Sequence, residues 1–186
     1  MNVSGIVLSG GRGSRAAGAD KGLLPWRQGT RIESILQLLQ PQVDDILISA
    51  NRNLARYGEL GFAIVEDTLP NFQGPLAGIA ACLPRCRHSL AVIVPCDSPH
   101  IPTDLVSRLS HAMEDESIDL CYANDGTRDQ YLFTAVRNRC LPGLLECLGE
   151  GQRAVKQWHR RLNCHAVDFS DQPEGFRNLN DASTQA

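Results

Sequence analysis

No run of apolar residues in the 186-residue chain approaches the roughly 20 that a membrane-spanning helix needs. Nor is there a surplus of positive charge: 18 Lys and Arg stand against 21 Asp and Glu, for a net charge of −3. A general nucleic-acid binder draws its affinity from a basic surface that releases counterions, so that class is excluded. The opening "MNVSGIVLSGG" lacks a basic segment followed by a long apolar one. No secretory leader is read there, and a cytoplasmic location is expected. Internal repeats, linkers and low-complexity stretches are missing too, which leaves one domain, long enough to bury a core.

The seven cysteines (Cys82, Cys86, Cys96, Cys121, Cys140, Cys147, Cys164) contain no CxxC pair. Most lie in apolar runs such as "AVIVPC" and "LLECL". In a reducing compartment such residues read as small buried hydrophobes. Cys82-x3-Cys86 with His88 nearby is the best zinc candidate, and it lacks the paired, short-spaced ligands of a structural site.

What the chain does have is alternation. Short β-branched segments recur at 4–9, 45–50, 62–67, 90–96 and 119–124, with later ones at 131–136 and 164–169. Between them lie helical patterns at 32–40, 76–86, 104–113 and 141–150. Several strands are apolar on both faces, as in a parallel sheet covered on both sides. The pattern predicts an α/β protein: a single-domain, three-layer α/β/α sandwich, Rossmann-like, with a mostly parallel sheet. Ligands of such sheets bind beyond the carboxyl ends of the strands. Polar residues fall there each time: "GGRGSR", "SANR", "EDTLP" and "PCDSPHIP" follow the first four strands.

The glycine loop after the first strand admits three readings. A Walker A loop fails, because Gly13-x4-Gly18 is followed by Ala19-Asp20-Lys21-Gly22 rather than Lys-Ser/Thr. A dinucleotide fingerprint is weak, because "ISANR" offers no acid at the end of the next strand to hold a ribose. A triphosphate site fits best: a glycine turn offers backbone N–H groups, while Arg12, Arg15 and Lys21 neutralise charge.

The stretch "VLSGGRGSRAAGADKGLL" resembles the LAGGxxxRMGxxDK signature of nucleotidyltransferases, and specifically that of the molybdenum cofactor guanylyltransferases. The likeness continues, in order, through "SANR", "EDTLPNFQGPLAG", "PCDSPHIPTDL", "NDGTRDQ", "HAVDFSD" and "FRNLN". The resemblance implies a Mg²⁺-dependent transfer of GMP from GTP to molybdopterin, with pyrophosphate released. It implies a nucleotide half at about 1–100 and an acceptor half at about 101–181. Leu8, Ser9, Gly10, Gly11, Arg12 and Lys21 would then line the GTP site, joined by Ser49, Asn51, Asp67 and Gly78. Arg15, Lys21 and Asp97 would serve catalysis, and Asp97 would hold the metal. Arg153 falls at an acceptor-binding arginine of the family. The chain departs from the family pattern at Ala16, Ser49 and Tyr131 and in its short C-terminus.

The residues themselves support several of these assignments. Nucleotidyl transfer joins two anions, so neutralisation and positioning matter more than covalent catalysis. Mg²⁺ commonly takes only one or two protein ligands beside phosphate, which suits a single strand-end carboxylate at Asp97. Thr103 or Asp104 is read as the cap of the following helix. The basic segment "GQRAVKQWHRR" predicts a helix with Arg153, Lys156 and Arg160 on one face. Asn178 and Asn180 alternate as on a strand and are read as facing the acceptor. Partners are therefore expected to be GTP and molybdopterin, with transient contacts to other cofactor-biosynthesis proteins or acceptor enzymes, on a monomeric chain. A cytidylyltransferase, and a non-catalytic GTP or molybdopterin binder of the same fold, remain open alternatives.

Overall fold

The computed structural model describes residues 2–9, 20–68 and 74–179. The chain runs β1 (Val3–Leu8), a small hairpin of β2 (Pro25–Trp26) and β3 (Gly29–Thr30), α1 (Arg31–Leu39), β4 (Asp45–Ser49) and α2 (Leu54–Gly58). It continues through β5 (Ala63–Val65), α3 (Pro75–Cys82), β6 (Leu90–Pro95) and α4 (Leu105–Ala112). The remaining elements are β7 (Leu120–Asn124), β8 (Asp129–Arg137), α5 (Leu141–Gly149), α6 (Val155–His159) and β9 (Cys164–Asp168).

Seven strands form one sheet in the order β5-β4-β1-β6-β8-β7-β9. β8 is antiparallel to both neighbours, and the other pairings are parallel. The expected mostly parallel α/β sheet is therefore present. β1 and β6 are buried along their whole length, and their side chains alternate between two cores. Val3, Val7, Val92 and Val94 pack with α1, α2 and α4, while Ile6, Leu8, Ala91 and Ile93 pack with α3, α5 and Trp158 of α6. Strands apolar on both faces need cover on both sides, and this alternation produces the three layers. Among the described residues no helix is long and apolar enough to cross a membrane.

Local chemistry sets the helix starts. Thr30 and Glu33 form a capping box on α1, with Thr30 N–H donating to Glu33 Oε2 at 2.7 Å and Glu33 N–H to Thr30 Oγ1 at 3.4 Å. Gly74 has φ of +80° and precedes Pro75, which opens α3. Several expected boundaries shift. The pattern read through 86 leaves α-helical geometry after Cys82, and Leu83–Arg85 form a 3-10 turn around Pro84. Asp104 holds the cap position of α4, but its carboxylate does not cap. It accepts instead from Gln172 Nε2 at 3.0 Å and pairs with Arg108 at 3.6 Å.

The basic segment does not form the expected long helix. α5 ends at Gly149, Gly151 takes φ of +80°, and the extended Ala154 begins a helix of only 5 residues. Arg153 lies before that helix and Arg160 at its C-cap, so the two do not share an interior helical face with Lys156. The strand expected around Asn178 is not there either, because 177–179 carries no regular structure. All seven cysteines are free thiols, and no cluster of three or more His, Cys, Asp and Glu is placed to hold a metal among the described residues. The zinc candidate is thereby set aside: Cys86 Sγ donates to the Cys82 carbonyl at 3.5 Å, as a thiol in an apolar layer does.

Candidate active site

The chain leaves β1 for β4 and β5 on one side, then returns to β6 on the other side of β1. Neighbouring connections diverge there, which makes the carboxyl ends of β1 and β6 the switch point at which ligands of such sheets bind. Backbone bonds tie the strand ends together. Ser9 N–H donates to Ser49 O at 2.8 Å, Cys96 N–H to Leu8 O at 3.1 Å, and Ala50 N–H to Val65 O at 3.0 Å. Leu8, Ser9, Ser49 and Asn51 thus lie along one edge of the sheet, with Asp67 and Asp97 at the ends of β5 and β6. Gly10, Gly11, Arg12, Arg15 and Asn180 lie outside the described residues.

The structure joins three of the expected residues directly. Lys21 Nζ stands 3.6 Å from Asp97 Oδ2. Asn178 Nδ2 donates to the same carboxylate oxygen at 3.0 Å, and Leu179 N–H donates to the Asp97 carbonyl at 3.0 Å. Residues 178 and 179 therefore lie against the carboxyl end of β6. Only 17% of the Asp97 side chain is exposed, so it is not the freely solvated strand-end carboxylate that the sequence suggests. Beside it the buried Cys96 thiol is pushed up to about 12, first by burial and then by the Asp97 charge. It stays neutral and is no nucleophile.

Asp67 is held through its backbone, which donates to Asn51 Oδ1 at 2.8 Å. Burial raises its carboxyl pKa, offset by Asn51. Its Oδ1 is buried and has no hydrogen-bond partner among the described residues. Such an orphan acceptor is costly unless something donates to it. Ser49 is only 1% exposed, and it faces Gly78 across the seam between β4 and α3. A Cβ on Gly78 would lie 2.4 Å from Ser49 Oγ, so a bare backbone is what lets α3 approach this edge.

Arg153 is placed differently from the expectation of an open cationic face. It is half-buried, and its guanidinium donates to Leu148 O and Gln152 O, each at 2.9 Å, closing the end of α5. Its backbone carbonyl nevertheless lies near the start of α3, 3.8 Å from where a Cβ on Gly74 would be. Farther along the sheet, the partner of Tyr122 in β8 is Thr134 and that of Ala123 is Gln130, so residues 131–133 form a bulge. That bulge sets Tyr131 against Tyr122 with ring centroids 5.1 Å apart, and the Tyr131 hydroxyl donates to Asp129 Oδ2 at 2.8 Å.

Three residues escaped the sequence reading. Asp20 Oδ1 accepts from the Tyr57 hydroxyl at 2.6 Å and from Gly22 N–H at 3.2 Å, and Asp20 Oδ2 accepts from Asn53 Nδ2 at 3.0 Å. The adjacent Asp20-Lys21 pair was a visible signal, but its partners come from α2, more than 30 positions away.

A sheet whose carboxyl edge gathers a lysine, a largely buried aspartate and a carboxylate oxygen unpartnered among the described residues, around a switch point, defines an α/β protein with a polar site of the nucleotide-binding kind. Comparison with known proteins narrows the class. Residues 5–165 match the MobA-like NTP transferase domain. A molybdenum cofactor guanylyltransferase of Pasteurella multocida is 40% identical over 180 residues, covering 97% of this chain and 95% of the relative. The Vibrio parahaemolyticus protein of the same name is 42% identical over 178 residues, covering 96% and 90%. The crystal structure of molybdopterin-guanine dinucleotide biosynthesis protein A from Archaeoglobus fulgidus superposes with a TM-score of 0.79 over 95% of this chain and 92% of that one, at 20% identity. The chain belongs to the molybdenum cofactor guanylyltransferase family.

Proposed function

We propose that the protein transfers GMP from GTP to molybdopterin, forming molybdopterin guanine dinucleotide and pyrophosphate. A terminal phosphate oxygen of the acceptor forms a bond to the α-phosphorus of GTP, and the bond from that phosphorus to the bridging β-oxygen breaks. No group on the protein needs to become covalently attached. Both reactants are anionic, so the work lies in holding them together and offsetting their charge.

The observation that carries this reading is the Lys21–Asp97 pair at the carboxyl end of β6, 3.6 Å apart and braced by Asn178. Lys21 keeps 35% of its side chain exposed, which leaves its ammonium free to reach a phosphate from a fixed post. Asp67 Oδ1 is a buried acceptor suited to an N–H or O–H of the bound nucleoside. Gly78 lets α3 pack directly on Ser49 and Leu8, so its part in nucleotide binding is indirect, through the position of that helix. Asn178, which touches Asp97, and the Arg153 segment, whose carbonyl lies by the start of α3, are assigned to the acceptor, which must meet the nucleotide at the same strand ends. Asp97 also fits Mg²⁺ by its chemistry, since a carboxylate is a hard ligand and magnesium takes few protein ligands beside phosphate. When bound there, the ion would neutralise charge on the triphosphate. We take the protein to work in the cytoplasm as a monomer that meets other cofactor-biosynthesis proteins or acceptor enzymes transiently.

The test is incubation with labelled GTP or CTP, Mg²⁺ and molybdopterin. Label from GTP in the dinucleotide, with pyrophosphate released, is the expected result. Label from CTP alone would make the protein a cytidylyltransferase. Tight GTP binding with no product would make it a carrier.

A further inference from the structure

We propose that Asp20, Tyr57 and Asn53 form a positioning clamp that fixes Lys21 opposite Asp97, so that α2 sets how tightly the triphosphate is held. The inference rests on the function proposed above and extends it to residues that do not themselves touch substrate.

Four observations converge on the clamp. The Asp20 carboxylate accepts from three donors, at 2.6 Å from the Tyr57 hydroxyl, 3.0 Å from Asn53 Nδ2 and 3.2 Å from Gly22 N–H. Hydrogen bonds to an ionised acceptor are the stronger kind, and three of them define the orientation of a short side chain. Tyr57 is fully buried, and both burial and the Asp20 carboxylate push its phenol pKa upward. It therefore donates at any pH at which the protein works.

Asn53 occupies the cap position of α2 in the left-handed region, with φ of 51° and ψ of 33°. An asparagine at that position commonly caps its own helix, but this one makes no capping bond and reaches Asp20 instead. Gly22 leaves the space the clamp needs, because a Cβ there would lie 2.7 Å from the Tyr57 hydroxyl and 3.1 Å from Ser9 Oγ. The segment is then locked on its far side, with Ile32 N–H donating to Gly22 O at 2.9 Å. Lys21 sits between two fixed neighbours. Its backbone has little freedom, and only its flexible stem moves between Asp97 and phosphate.

Titration calorimetry with GTP on wild type and variants tests the clamp. Tyr57→Phe removes one bond to a carboxylate, and the Kd for GTP should rise about tenfold, the scale of such a bond. Asp20→Asn should do the same or more, since its amide nitrogen meets donors. The exchange that combines Asp20→Asn with Asn53→Asp restores a donor–acceptor pair with reversed polarity, and Kd should return most of the way to wild type. In a Lys21→Ala background Tyr57→Phe should add nothing, because the clamp acts through Lys21.

Failure of the exchange to rescue, or a full effect of Tyr57→Phe without Lys21, would overturn the clamp. So would an unchanged Kd in Tyr57→Phe protein that merely melts earlier. A wild-type protein that binds no GTP overturns both the clamp and the function it rests on. One that binds GTP but transfers no GMP overturns only the transferase reading, and the Kd series still decides the clamp.

Discussion

Gly78→Ala is the substitution whose cost can best be worked from the structure. In an exposed helix this change would stabilise, by up to about 1 kcal/mol of helix propensity. Here the new methyl group would lie 2.4 Å from Ser49 Oγ, 3.3 Å from Ser49 Cβ and 3.2 Å from Leu8 Cδ2. Ser49 is 1% exposed and Leu8 7% exposed, so neither neighbour can swing into solvent. Either α3 lifts from the sheet or Ser49 leaves its place, and overpacking of this kind costs about 1–3 kcal/mol. For a chain of this size each kcal/mol lowers Tm by roughly 2–4 °C. Thermal melts followed by circular dichroism should therefore show a fall of about 2–12 °C. Ser49→Ala removes the nearest atom and leaves contacts of 3.2 and 3.3 Å. The double variant should accordingly recover about half of the loss, a coupling measurable by a double-mutant cycle. GTP affinity should fall with Gly78→Ala if α3 shifts, because the helix packs on the sheet edge where the nucleotide is proposed to bind. A Gly78→Ala protein melting at or above wild type would refute the packing, and with it the reason for a glycine at this position.

Asp97→Asn keeps the size of the side chain and loses its charge; turnover per folded molecule should fall about 100-fold or more. Asparagine can still accept from Asn178 but loses the charge facing Lys21, so stability should fall by about 1–2 kcal/mol, and a larger loss with normal turnover per folded molecule would make Asp97 purely structural. Arg153→Ala should raise the KM for molybdopterin while leaving the Kd for GTP unchanged. It should also cost about 1–2 kcal/mol of stability, because the Leu148 carbonyl in the last turn of α5 and the Gln152 carbonyl just beyond it lose their donor. The reverse kinetic pattern would move Arg153 to the nucleotide side. His159 is 4% exposed, ringed by Tyr122, Tyr131 and Trp158, and burial lowers its pKa from 6.5 to about 4. The unfolded chain therefore takes up this proton first. The stability that the neutral ring contributes is complete above pH 6.5 and declines as pH falls from there toward about 4. Melts across that window should show a slope that His159→Phe reduces, and an unchanged slope would refute the assignment.

Much of this protein was legible in its residues because the relevant physics is local. Strands such as "AVIVPC" and "SGIVLS" are apolar on both faces, and that demands two covering layers wherever the chain goes. The polar residues after each strand marked the ligand edge, since the carboxyl ends of parallel strands lie together by construction. The register of Asp97 against its surroundings was not local. Its burial, its pairing with Lys21 and its contact with Asn178 bring together residues 76 and 81 positions away along the chain, which no spacing rule connects. Helix length in the basic segment was misjudged for a related reason. Arg153, Lys156 and Arg160 have helical spacing, but Gly151 at φ of +80° and the carbonyls at the end of α5 claim the backbone and the guanidinium first. No spacing in the sequence connects Tyr57 with Asp20, and only the tertiary structure sets its hydroxyl on that carboxylate. Periodicity reports which face of an element is apolar. Which polar atoms meet inside a crevice is decided by how the layers pack, and that information is spread over the whole chain.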